Sequence, residues 1–486
     1  MTYTSAGFYV FLLVLLALYY GMPLRLRWVV LLAGSMAFYV LAYKTGWWIV
    51  LASAVMNYAA GIFMDMLESR RTDSRERLKR AVFLCALCLN LLPWFCMKNG
   101  NFILGSLLHR PAVSWIVPLG ISFYTLQSVA YLADVYRGSI NAQRNPAKFA
   151  LFVLFFPHMV QGPIPRYGQL AKQLYEGHAF DETVFVKGFQ QILWGFFLKL
   201  MIADKAAVIV NEVFDHPGRY TGCYVLVAGA LYSIELYADF LSCTKLSQGA
   251  AGLFGIRLAD NFSRPYLAVS VKEFWRRWHM SLSSWLRDYI YIPLGGSRKG
   301  NLHRYVNLAL TFAASGIWHG PGYKFLFWGL LHAAYQTAGS LTQGLQESIY
   351  RFLGLAPQSR LRRALQRLGV FFWVMLAWIL FRAESLTAGF GMIKSMFTVH
   401  NPWIFANDSL FTLGLGWKEW AVFCASLAVL AAAGHLQEKG TCIREAVLAR
   451  PLYIRWALYI LAAVCTMVFG TYGFGFDAQD FIYRGF

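Results

Sequence analysis

"SGIWHGPGYKFLFWGLLHA", residues 315–333, places two histidines and a Gly-Pro-Gly break inside sequence apolar enough to lie in a membrane. Proline removes a backbone donor and glycine adds freedom, so a helix is predicted to end near His319. Irregular backbone at membrane depth is tolerated only where protein or water surrounds it. The break therefore predicts a cavity-lining site inside a helical membrane protein. His332 lies further along, and an unbroken helix would carry it about 220° around from His319. Spacing alone does not put the two on one face.

The rest of the chain supports that setting. Of 486 residues, 58% are hydrophobic, 17% aromatic and only 14% charged, the composition of a polytopic membrane protein. A spanning helix needs about 20 largely apolar residues. Windows of that kind, or slightly shorter, fall near 7–22, 28–43, 46–66, 80–98, 115–133, 147–162, 189–211, 221–240, 304–318, 324–342, 368–384, 418–434 and 453–473. The expected fold class is all-α, since lipid offers an open strand no partners. The first window has no small-residue cleavage pattern and reads as a retained helix.

The net charge of +20 does not imply nucleic acid, because the basic residues cluster in short connections between apolar windows. Positive-inside topology accounts for them. Arg70, Arg71, Arg75, Arg77, Lys79 and Arg80 mark one predicted loop, and Arg360, Arg362, Arg363 and Arg367 another. Both are expected on the cytoplasmic side, with an even number of crossings between them. Cys85 and Cys88 form a CxxC without a second ligand pair, so they read as buried small apolar residues and no metal site is expected. With no internal repeat and no polar linker long enough for a soluble domain, residues 1–486 read as one membrane domain. Its chemistry is expected within about 235–340.

The least lipid-like region runs from about 241 to 303. It contains "VKEFWRRWHMSLSSWLRDYIYIPLGGSRKG", residues 271–300. On a continuous helix, Trp275, Trp278, Leu282, Trp285 and Leu286 share one side, Arg277 and Lys272 fall away, and His279 sits at the edge. That pattern predicts an interfacial helix anchored by tryptophans. Arg276, Arg277 and Arg287, with Trp275, Trp278 and Trp285, are candidates for binding an anionic thioester carrier. An imidazole suits the accompanying chemistry, since it takes a proton from a hydroxyl and later returns it to a leaving group. No GxSxG elbow, HExxH or Walker loop is present, which removes support for hydrolase and ATPase readings.

At this point the residues resemble the membrane-bound O-acyltransferases, in their bacterial branch of alginate and peptidoglycan O-acetylation and D-alanine transfer. The resemblance covers most of the chain. It rests on "PLGISFYTLQSVAYLADVYRG" (118–138), "FFPHMVQGPIPRYGQL" (155–170), "LKLMIADK" (198–205), residues 261–300 and the opening stretch. It implies a ring of about 11 tilted helices, with re-entrant and interfacial helices, around a thin centre with a tunnel. It also implies that His279 and His319, in the RWH and WHG motifs, are the functional pair. His319 is then the general base and His279 a second catalytic or positioning group. His332 matches a less securely catalytic position. The ending "DFIYRGF" (480–486) is similar to an F-x-Y-x-x-F tail in which the tyrosine relays the acyl group, here Tyr483. The chain departs from the pattern at "ELYADFLSCTKL" (235–246), where Asp239 is kept but Thr244 and Lys245 replace a Ser-Asp pair.

The resemblance implies an enzyme that moves an acetyl group from a cytoplasmic thioester, acetyl-CoA being the expected donor, across the bacterial inner membrane for O-acetylation of a cell-surface polysaccharide. An exported or membrane-anchored transferase is the expected partner, and no tightly bound cofactor is expected. D-alanyl transfer to teichoic acid is the enzymatic alternative. A transporter or a non-catalytic scaffold is the alternative from another class.

Overall fold

The computed structural model describes residues 3–43, 46–68, 72–159 and 161–472. These residues form helices and connecting turns, with no strand among them. Among the described residues, seven helices are long and apolar enough to cross a membrane: Leu24–Ala42, Trp47–Glu68, Asp73–Ser106, Cys223–Gly252, Arg360–Arg382, Trp417–Glu438 and Leu452–Phe469. A shorter apolar helix, Ala6–Gly21, precedes them. Several other expected windows appear as helices that are shorter or carry more polar groups, including Ile121–Tyr136 and Asn301–His319.

Contacts divide the chain into two compact units. Among the described residues, one lies within 3–192 and 243–260, the other within 193–242 and 261–472. In the first unit, Asn57 and Asn90 bury reciprocal amide hydrogen bonds of 3.1 and 2.8 Å between the helices Trp47–Glu68 and Asp73–Ser106. Such a pair ties helices together where lipid supplies no hydrophobic drive for association. The window at 115–133 starts as helix only at Ile121. Gly120 precedes it with φ 73°, and a Cβ there would collide with the Met159 carbonyl, so only glycine fits this turn.

Two expectations change. The described basic residues Arg75, Arg77, Lys79 and Arg80 sit in the leading turns of Asp73–Ser106, and Arg360–Arg367 open the helix Arg360–Arg382. No proline or glycine interrupts either run, so the helix extends outward through the charges. Lys79 is buried against Glu68, and Arg362 against Glu347. Cys85 and Cys88 are exposed on the helix surface, not buried.

In the second unit, Asn301–His319 and Tyr323–Leu341 form an antiparallel hairpin. Its helices approach so closely that a Cβ on Gly316 would meet the Phe325 carbonyl. One on Gly329 would meet the Phe312 carbonyl and come within 3.3 Å of Gly316 Cα. Small residues at this crossing are what permit the approach.

Candidate active site

The hairpin places His319 at the last turn of its first helix, as the Gly-Pro-Gly break predicts. The ring is buried and walled by aromatic edges. Trp318 lies 4.9 Å away between centroids, Trp328 5.0 Å and Phe381 5.7 Å. Trp318 also meets the His279 ring at 6.0 Å, so one indole touches both histidines. The two residues named by sequence, 40 positions apart, therefore belong to one cluster.

His279 arrives there by an unexpected route. The segment 271–300 is not one helix: Val271–Arg277 stops, His279 takes a left-handed conformation at φ 43°, and Met280–Leu286 begins. A non-glycine residue in that region is uncommon and is held by its surroundings. Here the holder is Asn261. Its carbonyl accepts the Met280 N–H at 2.9 Å, and its side-chain Oδ1 accepts the Ser281 N–H at 3.1 Å. These bonds satisfy donors at the new helix start. His279 then stands edge-on to Phe240 at 4.7 Å. Burial pushes its imidazole down to about 3, because a charged ring loses its hydration there. It is a neutral imidazole at physiological pH.

The tryptophans expected to anchor an interface are buried instead. Trp275 donates its indole N–H to His332 Nδ1 at 3.2 Å, so the proton of neutral His332 resides on Nε2. Trp278 packs between Phe274, Phe262 and Trp378, and Trp285 lies against Tyr289 at 5.2 Å. Among the arginines, Arg277 is bound by Glu273 at 2.7 Å and Glu438 at 3.1 Å. Arg287 pairs with Asp288 at 2.8 Å, and Arg276 is exposed.

Asp239 has a structural partner that spacing did not reveal. A π-helical stretch, Phe197–Ala203, carries Lys199 inward, where Nζ lies 2.7 Å from Asp239 and 2.9 Å from Asp204. π-turns of this kind recur at functional sites. Glu235, one turn before Asp239, is buried with Oε2 lacking a partner among the described residues. In the first unit, Lys245 pairs with Asp260 at 2.9 Å, so the replacement of an acidic residue at 245 is answered locally. Tyr483 lies outside the described residues.

Sequence reasoning missed Asn261, Lys199, Glu235 and the indoles Trp328 and Trp378. Trp328 touches both His319, at 5.0 Å, and His332, at 4.9 Å. A concentration of buried polar atoms without hydrogen-bond partners among the described residues marks the region. It includes both ring nitrogens of His279, His332 Nε2, Ser315 Oγ and the indole nitrogens of Trp328 and Trp378. Native interiors pair most such atoms, so an accumulation at one place points to a site that receives something polar.

Comparison with known proteins gives the family. Residues 84–351 match the model of the membrane-bound O-acyltransferase family. The chain belongs to the membrane-bound O-acyltransferase family. It is 36% identical to a probable alginate O-acetylase, AlgI, of Azotobacter vinelandii, over 82% of this chain and 78% of that protein. It is 34% identical to a peptidoglycan O-acetyltransferase of Helicobacter pylori, over 62% of this chain and 60% of that one. It is also 30% identical to a teichoic acid D-alanyltransferase of Bacillus subtilis, over 53% and 67% respectively. As a membrane-bound O-acyltransferase, the chain transfers acyl groups to hydroxyls, and both the WHG histidine and the RWH histidine fall within the matched residues.

Proposed function

We propose that this O-acyltransferase takes an acetyl group from a cytoplasmic thioester, acetyl-CoA, and delivers it across the bacterial inner membrane for O-acetylation of a cell-surface polysaccharide. The observation that carries this reading is the buried aromatic cluster holding His319 beside His279, with its unpartnered polar atoms. The choice of acetyl is supported by similarity to alginate O-acetylases over a larger share of the chain than to D-alanyltransferases.

In this mechanism the acceptor hydroxyl oxygen attacks the thioester carbonyl carbon while His319 takes the hydroxyl proton. The tetrahedral intermediate collapses, the C–S bond breaks, and the proton passes from His319 to the departing thiolate. The products are the O-acetyl ester and free thiol. His279, neutral and held by Asn261, positions the reacting groups. An exported or membrane-anchored transferase completes delivery to the polymer.

The test is donor loading. Membranes containing the protein are incubated with radiolabelled acetyl-CoA or with D-alanine presented as a carrier-protein thioester. Transfer from acetyl-CoA alone supports the reading, whereas transfer from the D-alanyl thioester alone replaces it with the alternative.

A further inference from the structure

The indole nitrogens of Trp328 and Trp378 present a problem of hydrogen bonding. Elsewhere three buried or half-buried indoles of the fold find acceptors. Trp94 donates to Ser122 Oγ at 3.3 Å, Trp275 to His332 at 3.2 Å and Trp420 to the Leu410 carbonyl at 3.2 Å. A buried indole N–H normally does so, because leaving it unpaired forfeits its hydration with no return. Trp328 and Trp378 are both fully buried, and neither N–H has an acceptor among the described residues.

The two are neighbours. Their rings stack at 5.5 Å with planes 25° apart. Trp328 is also in edge contact with His319 at 5.0 Å, and Phe381 touches all three rings. One unsatisfied neutral donor, Trp328, thus sits against His319, and the second, Trp378, is stacked on the first.

Acyl transfer needs such donors. As the hydroxyl oxygen attacks, the carbonyl π bond opens and its electron pair moves onto oxygen, which carries negative charge until the C–S bond breaks. Preorganised N–H groups in a dry site stabilise that charge strongly, because no solvent must reorganise. The cations nearest to the pair in sequence have partners elsewhere, Lys324 donating to the Ala383 carbonyl at 2.7 Å and Arg382 pairing with Asp215 at 3.2 Å. Neutral indoles also suit an aromatic, water-poor wall better than an ion that would need its own counter-charge.

We propose that the indole N–H groups of Trp328 and Trp378 are catalytic donors that hold the acyl carbonyl oxygen of the thioester while His319 removes the proton from the acceptor hydroxyl. This rests on the O-acyltransfer reading with His319 as base. The substrate feature recognised is the carbonyl oxygen common to all thioester donors, so the pair does not distinguish acetyl from D-alanyl groups.

The test removes the N–H and keeps the ring. Trp328 and Trp378 are each replaced by 3-benzothienylalanine, in which sulfur stands in place of the indole N–H, within the full-length protein. Transfer from labelled acetyl-CoA is then measured over a range of donor concentrations. The expected result is a fall in kcat of about a hundred-fold for Trp328, a smaller fall for Trp378, and a donor KM within about twofold of the parent, with folded protein recovered in equal yield. Unchanged kcat in both variants overturns the proposal, as does a fall matched by loss of folded protein. His319→Ala is measured alongside. If it retains transfer, the underlying mechanism fails. If it is inactive while both benzothienyl variants keep full kcat, only the donor assignment fails.

Discussion

Asn261 grips the chain immediately after His279, its side-chain Oδ1 accepting the Ser281 N–H at 3.1 Å and its carbonyl accepting the Met280 N–H at 2.9 Å. Without the side-chain acceptor, the segment loses a helix-start bond and the support for a left-handed histidine. Asn261→Ala is expected to lower stability by about 1 kcal/mol, the usual cost of a lost N-cap acceptor, and to reduce transfer by more than that stability loss explains. Asn261→Asp, which keeps an acceptor at the same position, is expected to restore much of both. Thermal unfolding in detergent and acyl transfer measured on the same preparations check this.

Lys199 stands between Asp204 and Asp239 with all three side chains buried. Removing the ammonium leaves two carboxylates in a low-dielectric interior. Lys199→Met is therefore expected to destabilise the protein by about 3–5 kcal/mol. Adding Asp239→Asn to it is expected to recover part of that loss by removing one of the orphaned charges. The yield of monodisperse protein after solubilisation ranks the parent, single and double variants.

The bond from Trp275 to His332 predicts a separation of roles. Trp275→Phe leaves His332 Nδ1 without its donor and is expected to cost about 1–3 kcal/mol of stability, the penalty of an unsatisfied buried polar atom. Transfer per folded molecule is expected to survive, since neither ring is the base. Comparing unfolding temperature with specific activity tests the two halves of the statement separately.

The basic leading turns of Asp73–Ser106 and Arg360–Arg382 are expected to face the cytoplasm. In a cysteine-free background, single cysteines at Arg75 and Arg360 are expected to resist a membrane-impermeant thiol reagent in intact cells and to react after permeabilisation. Labelling of one but not the other in intact cells contradicts the shared orientation.

The residues that were legible in sequence and those that were not differ in where their cause lies. His319 was readable because Gly320, Pro321 and Gly322 end its helix locally. The break at His279 was not, because residues 271–286 contain no proline or glycine and the interruption is imposed by Asn261 from 20 residues away. The same holds for Lys199 and Asp239, 40 residues apart, whose pairing depends on a π-turn that no residue type announces. Helical periodicity did gather Trp275, Trp278 and Trp285, and all three are buried. It could not say whether lipid or protein would cover them, since both favour apolar surface. Trp328 and Trp378 were passed over because an apolar helix with a tryptophan looks like any spanning helix until its indole N–H proves to lack an acceptor.

In the proposed mechanism His319 is the base that activates the acceptor hydroxyl. This role is tested most directly by measuring acetyl transfer from labelled acetyl-CoA in membranes containing His319→Ala at parental abundance. The expected result is a loss of at least about a hundred-fold with the protein still folded and inserted. Transfer at the parental rate would contradict it.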